Sequence, residues 1–300
     1  MHDAIVIGAG PAGLQAALTL GRMHRSTLVL DSGEYRNGTV QHMHNVVAND
    51  GTPPADFRAV AREQLAEYPD VEFRALAAEE ITGAEGAFTV RLSDGTTVEA
   101  ARVILATGVA DDLPAVPGLE ELWGLRAFGC PFCDGHEHAG RPIAVIGAAP
   151  RAEHLAGLLG RIASSVTAYP IGEPYSEDER RMLERSGAQV SAAPVRAVSP
   201  ADDDGVVVAT DDGDTTVAGV FVASGALRQR APFAAQLGLR MLASGAIEVD
   251  DMGRTSVPGV SAAGDLAHRA SLPGPMASVI AAAAAGQLAA VGVIQSLMAG

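Results

Sequence analysis

Ala4-Ile-Val-Ile-Gly-Ala-Gly-Pro-Ala-Gly13 decides the fold. An apolar run, Ala4 to Ile7, predicts a strand buried on both faces, and Gly8, Gly10 and Gly13 follow in the G-x-G-x-x-G spacing that turns a parallel strand into a helix. Gly8 permits the tight turn, Gly10 lets backbone approach a pyrophosphate, and Gly13 lets helix and sheet pack closely. Pro11 and Ala12 open the helix, whose unpaired N–H groups face the phosphates. Asp31 closes the next strand, Thr27-Leu-Val-Leu-Asp31, where a carboxylate accepts from a ribose hydroxyl, with Ser32 beside it. This motif predicts a bound dinucleotide and does not separate FAD from NAD.

A similar unit begins at Pro142: Ile143-Ala-Val-Ile-Gly-Ala-Ala-Pro-Arg-Ala152, a helix to about Arg161, then Ser165-Val-Thr-Ala-Tyr169. Each unit is followed later by an apolar strand ending in small residues, Val103-Ile-Leu-Ala-Thr-Gly108 and Val220-Phe-Val-Ala-Ser-Gly225. The expected fold class is α/β: two dinucleotide-binding, Rossmann-like domains with parallel sheets and small β-meanders, the second inserted into the first. A proline-rich linker at 111–118 marks the first crossing, and the second falls near 239–250. The expected boundaries are 1–113 with 245–300 for the outer domain and 114–244 for the insertion. Residues 72–82, 87–100 and 205–217 read as meanders, with turns at Asp94-Gly95 and Asp212-Gly213.

The bulk numbers bound the partners. A chain of 300 residues suits two domains, and its net charge of −15 repels nucleic acid and anionic membrane alike. The apolar stretch 277–298 contains Gln287 and Gln295 and reads as a buried helix, not a membrane span. Met1-His2-Asp3 runs straight into a strand with no leader pattern, so a cytoplasmic protein is expected. Two cysteines three apart in such a chain suit a redox pair.

Those cysteines lie in Gly129-Cys-Pro-Phe-Cys-Asp-Gly-His-Glu-His138. Pro131 suits the first position of a short helix, which makes Cys130 its cap and favours a thiolate there. Cys133 is close enough to form a disulfide with it, and Asp134 follows at once as a group that exchanges a proton. His136 and His138 are further candidate bases. A zinc site would need four ligands packed into one short segment, with no second Cys-x-x-Cys to complete it, so no metal is expected.

Two more features favour FAD over NAD at the first site. Thr107-Gly108 and Gly264-Asp265 are turns of the kind that recur in two-dinucleotide flavoproteins, Asp265 being placed to hold a ribityl chain. Ser278 and Val279, opening the last helix, would aim its positive end at the flavin C2 carbonyl.

At these motifs the chain resembles the low-molecular-weight thioredoxin reductases, over essentially its whole length. That resemblance implies a FAD domain interrupted by a pyridine-nucleotide domain, with Cys133 against the flavin, Cys130 exchanging with substrate, and Asp134 as the acid–base group. It also implies a homodimer. Asp31-Ser-Gly-Glu-Tyr-Arg-Asn37, Gln41-His-Met-His-Asn45 and Cys-Pro-Phe-Cys are similar to the gliotoxin- and holomycin-type dithiol oxidase branch, where Asn45 would line the flavin. Those oxidases often have histidine after the second cysteine; this chain has Asp134.

The second nucleotide motif departs from the reductase pattern. Ala149 stands where the reductases have glycine, and its Cβ takes space the pyrophosphate needs. No basic residue lies between Tyr169 and Glu179 for a 2′-phosphate, and no acidic residue ends the strand for a ribose. A degenerate NADPH site is therefore expected. Two directions of electron flow follow: oxidation of a small dithiol with oxygen as acceptor, or NADPH- or ferredoxin-driven reduction of a disulfide such as that of a thioredoxin-like protein. A flavin-containing redox sensor is the third reading.

Overall fold

A computed structural model describes residues 1–299. The described chain forms two compact units: 1–38, 55–110 and 227–299 make the first, and 39–54 with 111–226 make the second.

The first unit is built on a parallel sheet whose strands run in the order Val71–Arg74, Thr27–Leu30, His2–Ile7, Thr97–Leu105, with Val260–Ala262 parallel to the last. Strand alternation sends Ile5 and Ile7 to one face and Ala4 and Val6 to the other, and both faces are covered. Ile5 and Ile7 meet Phe88, Val90, Phe233 and Leu239. Ala4 and Val6 meet Leu14, Leu20 and Val293 from two helices, Pro11–Arg22 and Val279–Ala299.

Val279–Ala299 is, among the described residues, the one helix long and apolar enough to cross a membrane. Here Gly286 lets it lie directly on the helix Pro11–Arg22: a Cβ there would stand 2.0 Å from the Ala12 carbonyl oxygen. Its buried residues, including Ala282, Ala289, Ala290, Val293 and Ile294, form the packed side. The close approach explains why a helix of alanine and glycine carries so much of this core.

Three sequence expectations change. Residues 39–54, expected in the first domain, group with the second unit. Residue 72 belongs to no meander; Val71–Arg74 is the outer parallel strand, and the antiparallel set is Ala78–Ala84, Ala87–Leu92 and Thr97–Leu105. The alternating pattern is the same for either pairing, so sequence alone did not distinguish them. The chain also returns to the first unit at 227, where the sequence suggested 245. Phe233, Ala234 and Leu239 are core residues of the first unit, which draws that stretch back early.

The second unit repeats the plan. Its parallel sheet runs Gln189–Val190, Ser165–Tyr169, Pro142–Gly147, Val220–Ala223, Ala127–Phe128. Ile143 and Val145 pack against Ala152, Leu155 and Leu159 of the helix Ala149–Leu159. Ala144 and Ile146 pack on the other face against Val206, Val208 and Val217, which come from the antiparallel meander Val195–Pro200, Val206–Thr210, Gly213–Val217.

Candidate functional site

The first unit's strand-to-helix turn is shaped for a ligand. Gly8 has φ 107°, and a Cβ there would meet the Ala106 carbonyl oxygen at 2.4 Å. A Cβ on Gly13 would lie 1.8 Å from the Gly8 carbonyl oxygen. These two glycines are demanded by the fold itself. Gly10 is different: its φ of −76° suits any residue, and nothing lies within 4 Å of where its Cβ would sit. No side chain caps the helix that Pro11 and Ala12 begin. Space and free N–H groups together fit a pyrophosphate.

Thr107 and Gly108 follow the strand Thr97–Leu105, with Gly108 at φ 67° and its carbonyl accepting from the Arg230 N–H at 3.3 Å. Gly264 and Asp265 follow Val260–Ala262, and Asp265 pairs with the Arg36 guanidinium at 3.0 Å. Ser278 caps the last helix, its hydroxyl accepting from the Ala281 N–H at 3.1 Å; Val279 is the first helical residue.

Asp31 is buried at 5% exposure. Its Oδ2 accepts from the Tyr35 hydroxyl and from Arg62, and its Oδ1 accepts from the Gly33 N–H at 3.1 Å. An Oδ1 lone pair is left for a ribose hydroxyl. Arg58 stacks over the Tyr35 ring at 3.8 Å and donates to Asn37 Oδ1 at 3.1 Å. Asp31, Gly33, Tyr35, Arg58 and Arg62, with Ser32, Ala55, Ala59 and Ala75, line a cavity of about 310 Å³. Sequence reasoning missed Tyr35, Arg58 and Arg62. The two arginines stand one helical turn apart in Pro54–Ala66, a spacing found on many solvated helix faces.

In the second unit, Cys130 and Cys133 form a disulfide, Cα to Cα 5.4 Å. Cys130 caps the single turn Pro131–Asp134, and its carbonyl accepts from the N–H of Cys133 and of Asp134, both at 3.2 Å. Phe132 between them is 66% exposed. Burial pushes the Asp134 carboxyl up to about 7; the nearby Glu137 carboxylate adds to the rise and His44 opposes it. A carboxyl poised near neutrality suits proton exchange with a thiol.

His138 does not join this group. It is 9% exposed, its ring packs beside Phe128 at 5.4 Å and Phe221 at 6.0 Å, and neither ring nitrogen has a hydrogen-bond partner among the described residues. Burial, then the Arg141 charge, lowers its pKa. It fills the core in place of the expected base, while His136 is exposed on the same short turn. His44 and Glu137, which sequence reasoning passed over, stand 3.5 Å apart. They are remote along the chain, so no local motif reveals them. Asn45 lies in the same loop, grouped with the second unit, its N–H bonded to Asp50 at 2.7 Å.

The second glycine turn makes its own hydrogen bonds. Ala149 is 1% exposed within the core. The Ser224 hydroxyl accepts from the Ala148 N–H at 3.0 Å, and the buried Tyr175 hydroxyl donates to the Gly147 carbonyl at 2.5 Å. Arg181 turns back to Glu177 and Asp178, and Arg180 donates to the Ser191 carbonyl at 3.4 Å.

The model of the pyridine nucleotide-disulphide oxidoreductase family matches residues 2–286, and the chain belongs to that family of enzymes. It is similar to thioredoxin reductase tcpT of Claviceps purpurea, at 34% identity over 98% of this chain and 95% of that one. Among solved structures, an oxidoreductase from Agrobacterium tumefaciens matches with a TM-score of 0.88 and 33% identity over 99% and 98% of the two chains. HlmI matches with 0.87 and 34% over 99% and 92%. The protein is thus a thioredoxin reductase-like disulfide oxidoreductase, resembling the gliotoxin- and holomycin-type branch.

Proposed function

We propose that the protein binds FAD in its first unit and oxidises a small dithiol to a disulfide, with oxygen as the final acceptor. The observation that carries this reading is the second nucleotide motif, where Ala149 is core, Ser224 takes the Ala148 N–H and Tyr175 takes the Gly147 carbonyl, which leaves that turn poorly suited to a nicotinamide donor. FAD, when bound, supplies two-electron exchange with a dithiol and with oxygen.

The chain's own residues divide the work. Gly10 and the helix Pro11–Arg22 receive the pyrophosphate, and Asp31 receives the adenosine ribose. A substrate thiolate attacks Cys130 Sγ; the bond to Cys133 breaks, and its electron pair leaves on the Cys133 sulfur. The second substrate thiol then displaces Cys130 and closes the product disulfide, while Asp134 takes up the proton released. The net change is one dithiol and one oxygen converted to one disulfide and one hydrogen peroxide. Exposed Phe132, between the two cysteines in the sequence, offers apolar surface to a small organic substrate.

Asp134, in place of the histidine common in the oxidase branch, favours a second reading, NADPH-driven reduction of a protein disulfide. Anaerobic titration of the flavin spectrum separates the two. The first requires bleaching by dithiols and none by NADPH on the turnover timescale. Rapid bleaching by NADPH, or no peroxide from any dithiol under air, would reverse the assignment.

A further inference from the structure

The loop from Met43 to Thr52 belongs to the same unit as the cysteines. It is closed by two backbone hydrogen bonds, Met43 N–H to the Thr52 carbonyl at 3.0 Å and Gly51 N–H to the Met43 carbonyl at 2.9 Å. Inside it Asn45 and Ala48 hold φ of 60° and 66°, left-handed backbone that costs energy for a residue with a Cβ, at Ala48 above all. Strain of this kind persists where the surroundings fix it, often beside a functional group.

The group held here is His44. Its Nδ1 lies 3.8 Å from Asp50 Oδ1 and its Nε2 lies 3.5 Å from Glu137 Oε1, so each ring nitrogen faces a carboxylate. Glu137 stands on the short turn His136–His138, directly after the turn that holds the disulfide. His136 is exposed and His138 is core. We infer that His44, held by Asp50 and Glu137, is a positioning residue of the cysteine site: with Glu137 it controls when Asp134 carries the proton released as the disulfide opens.

The charges give the inference a sign. The Glu137 carboxylate makes a second negative charge nearby unfavourable and so keeps the proton on Asp134; the imidazolium form of His44 draws it off. Asp50 stands on the other side of the His44 ring, where it favours the charged form of that ring. The inference rests on the acid–base role proposed for Asp134, and the test separates the two.

Dithiothreitol serves as the reductant. It reduces the Cys130–Cys133 disulfide, losing two electrons and closing its own ring. Trapping the free cysteines with N-ethylmaleimide and weighing the protein gives the rate from about pH 5 to about pH 9 without any reading from the flavin. Glu137→Gln should lower the midpoint of this profile and His44→Gln should raise it, each by about half a unit, or about threefold in rate near neutrality. The double variant should return toward the parent. Midpoints that move in the same direction, or rates that fall equally at all pH, would make the loop a packing element and overturn the inference. Should His44→Gln disturb the loop, Glu137→Gln on its exposed turn still tests the sign. A midpoint that survives in Asp134→Asn would overturn the role of Asp134 itself.

Discussion

The two strand–turn–helix units share one plan and differ in what surrounds the glycine turn. In the first, Gly10 has allowed backbone for any residue and no protein atom near its missing Cβ. In the second, the corresponding Ala149 is core, the Ala148 N–H is taken by Ser224, and the Gly147 carbonyl is taken by Tyr175. Gly147 remains because the turn needs it: its φ is 142°, and a Cβ would meet Ser224 Oγ at 2.4 Å. Gly147, which the turn requires, and Gly10, which it does not, are therefore distinguishable. The first is crowded by its own chain, and the second faces empty space.

Substitutions can break or sharpen that contrast. The largest effect belongs to the cysteines of the second unit, which form its disulfide. Cys133→Ser should lower dithiol oxidation by about a thousandfold or more while flavin content stays at the parent level. Loss of flavin in this variant would tie the cysteines to cofactor binding and blur the division of labour.

Next comes the open glycine. Gly10→Val should weaken FAD binding by about a hundredfold with little change in melting temperature, read by fluorescence titration of the apoprotein. Gly13→Val should cost soluble, folded protein instead, since its first added atom meets the Gly8 carbonyl oxygen. Equal behaviour of the two would erase the distinction between them.

A smaller effect is expected at the cavity beside Asp31. Arg58→Ala removes the guanidinium stacked on Tyr35 and should weaken FAD by about tenfold, with FMN, which lacks the adenosine, unaffected. A parallel loss for FMN would make Arg58 a purely structural residue.

Asp134 gives a pH-dependent stability. Its carboxyl is raised from 3.8 to about 7 in the fold, so the folded state holds the proton more tightly than the unfolded chain. This favours folding most at low pH, and the advantage is lost as pH rises through that interval. Asp134→Asn should therefore melt about a few degrees above the parent at pH 8 and level with it at pH 4. A gap that is the same at both pH values would remove the carboxyl as its source.

The smallest change is Ala149→Gly, which should cost about 1 kcal/mol and still leave NADPH unbound by calorimetry, because Ser224 and Tyr175 stay in place. Tight NADPH binding by this variant would reduce the difference between the units to a single methyl group.

Sequence reading reached some parts of the site and missed others for physical reasons. The strand at Ala4–Ile7, the glycine turn and the Cys-Pro-Phe-Cys turn are local: each is set by residues that touch their own neighbours in the chain. The pairing of Val71–Arg74 was misread because alternation describes one strand and says nothing of its partner. His138 was counted as a base because its burial depends on Phe128 and Phe221, the latter from a strand far along the chain. His44 meets Glu137 across a similar gap.

What the sequence by itself determined is the α/β plan, the duplicated unit, the cysteine pair and the weakness of the second nucleotide motif. These rest on backbone conformation and spacing, which short-range sterics dictate. Only the tertiary structure decided that Tyr175 and Ser224 hydrogen-bond the turn of that second motif, that Arg58 and Arg62 line the cavity at Asp31, and that His44 rather than His138 faces the carboxylates of the cysteine unit. Burial and ion pairing are properties of groups brought together from distant parts of the chain, and no local pattern encodes them.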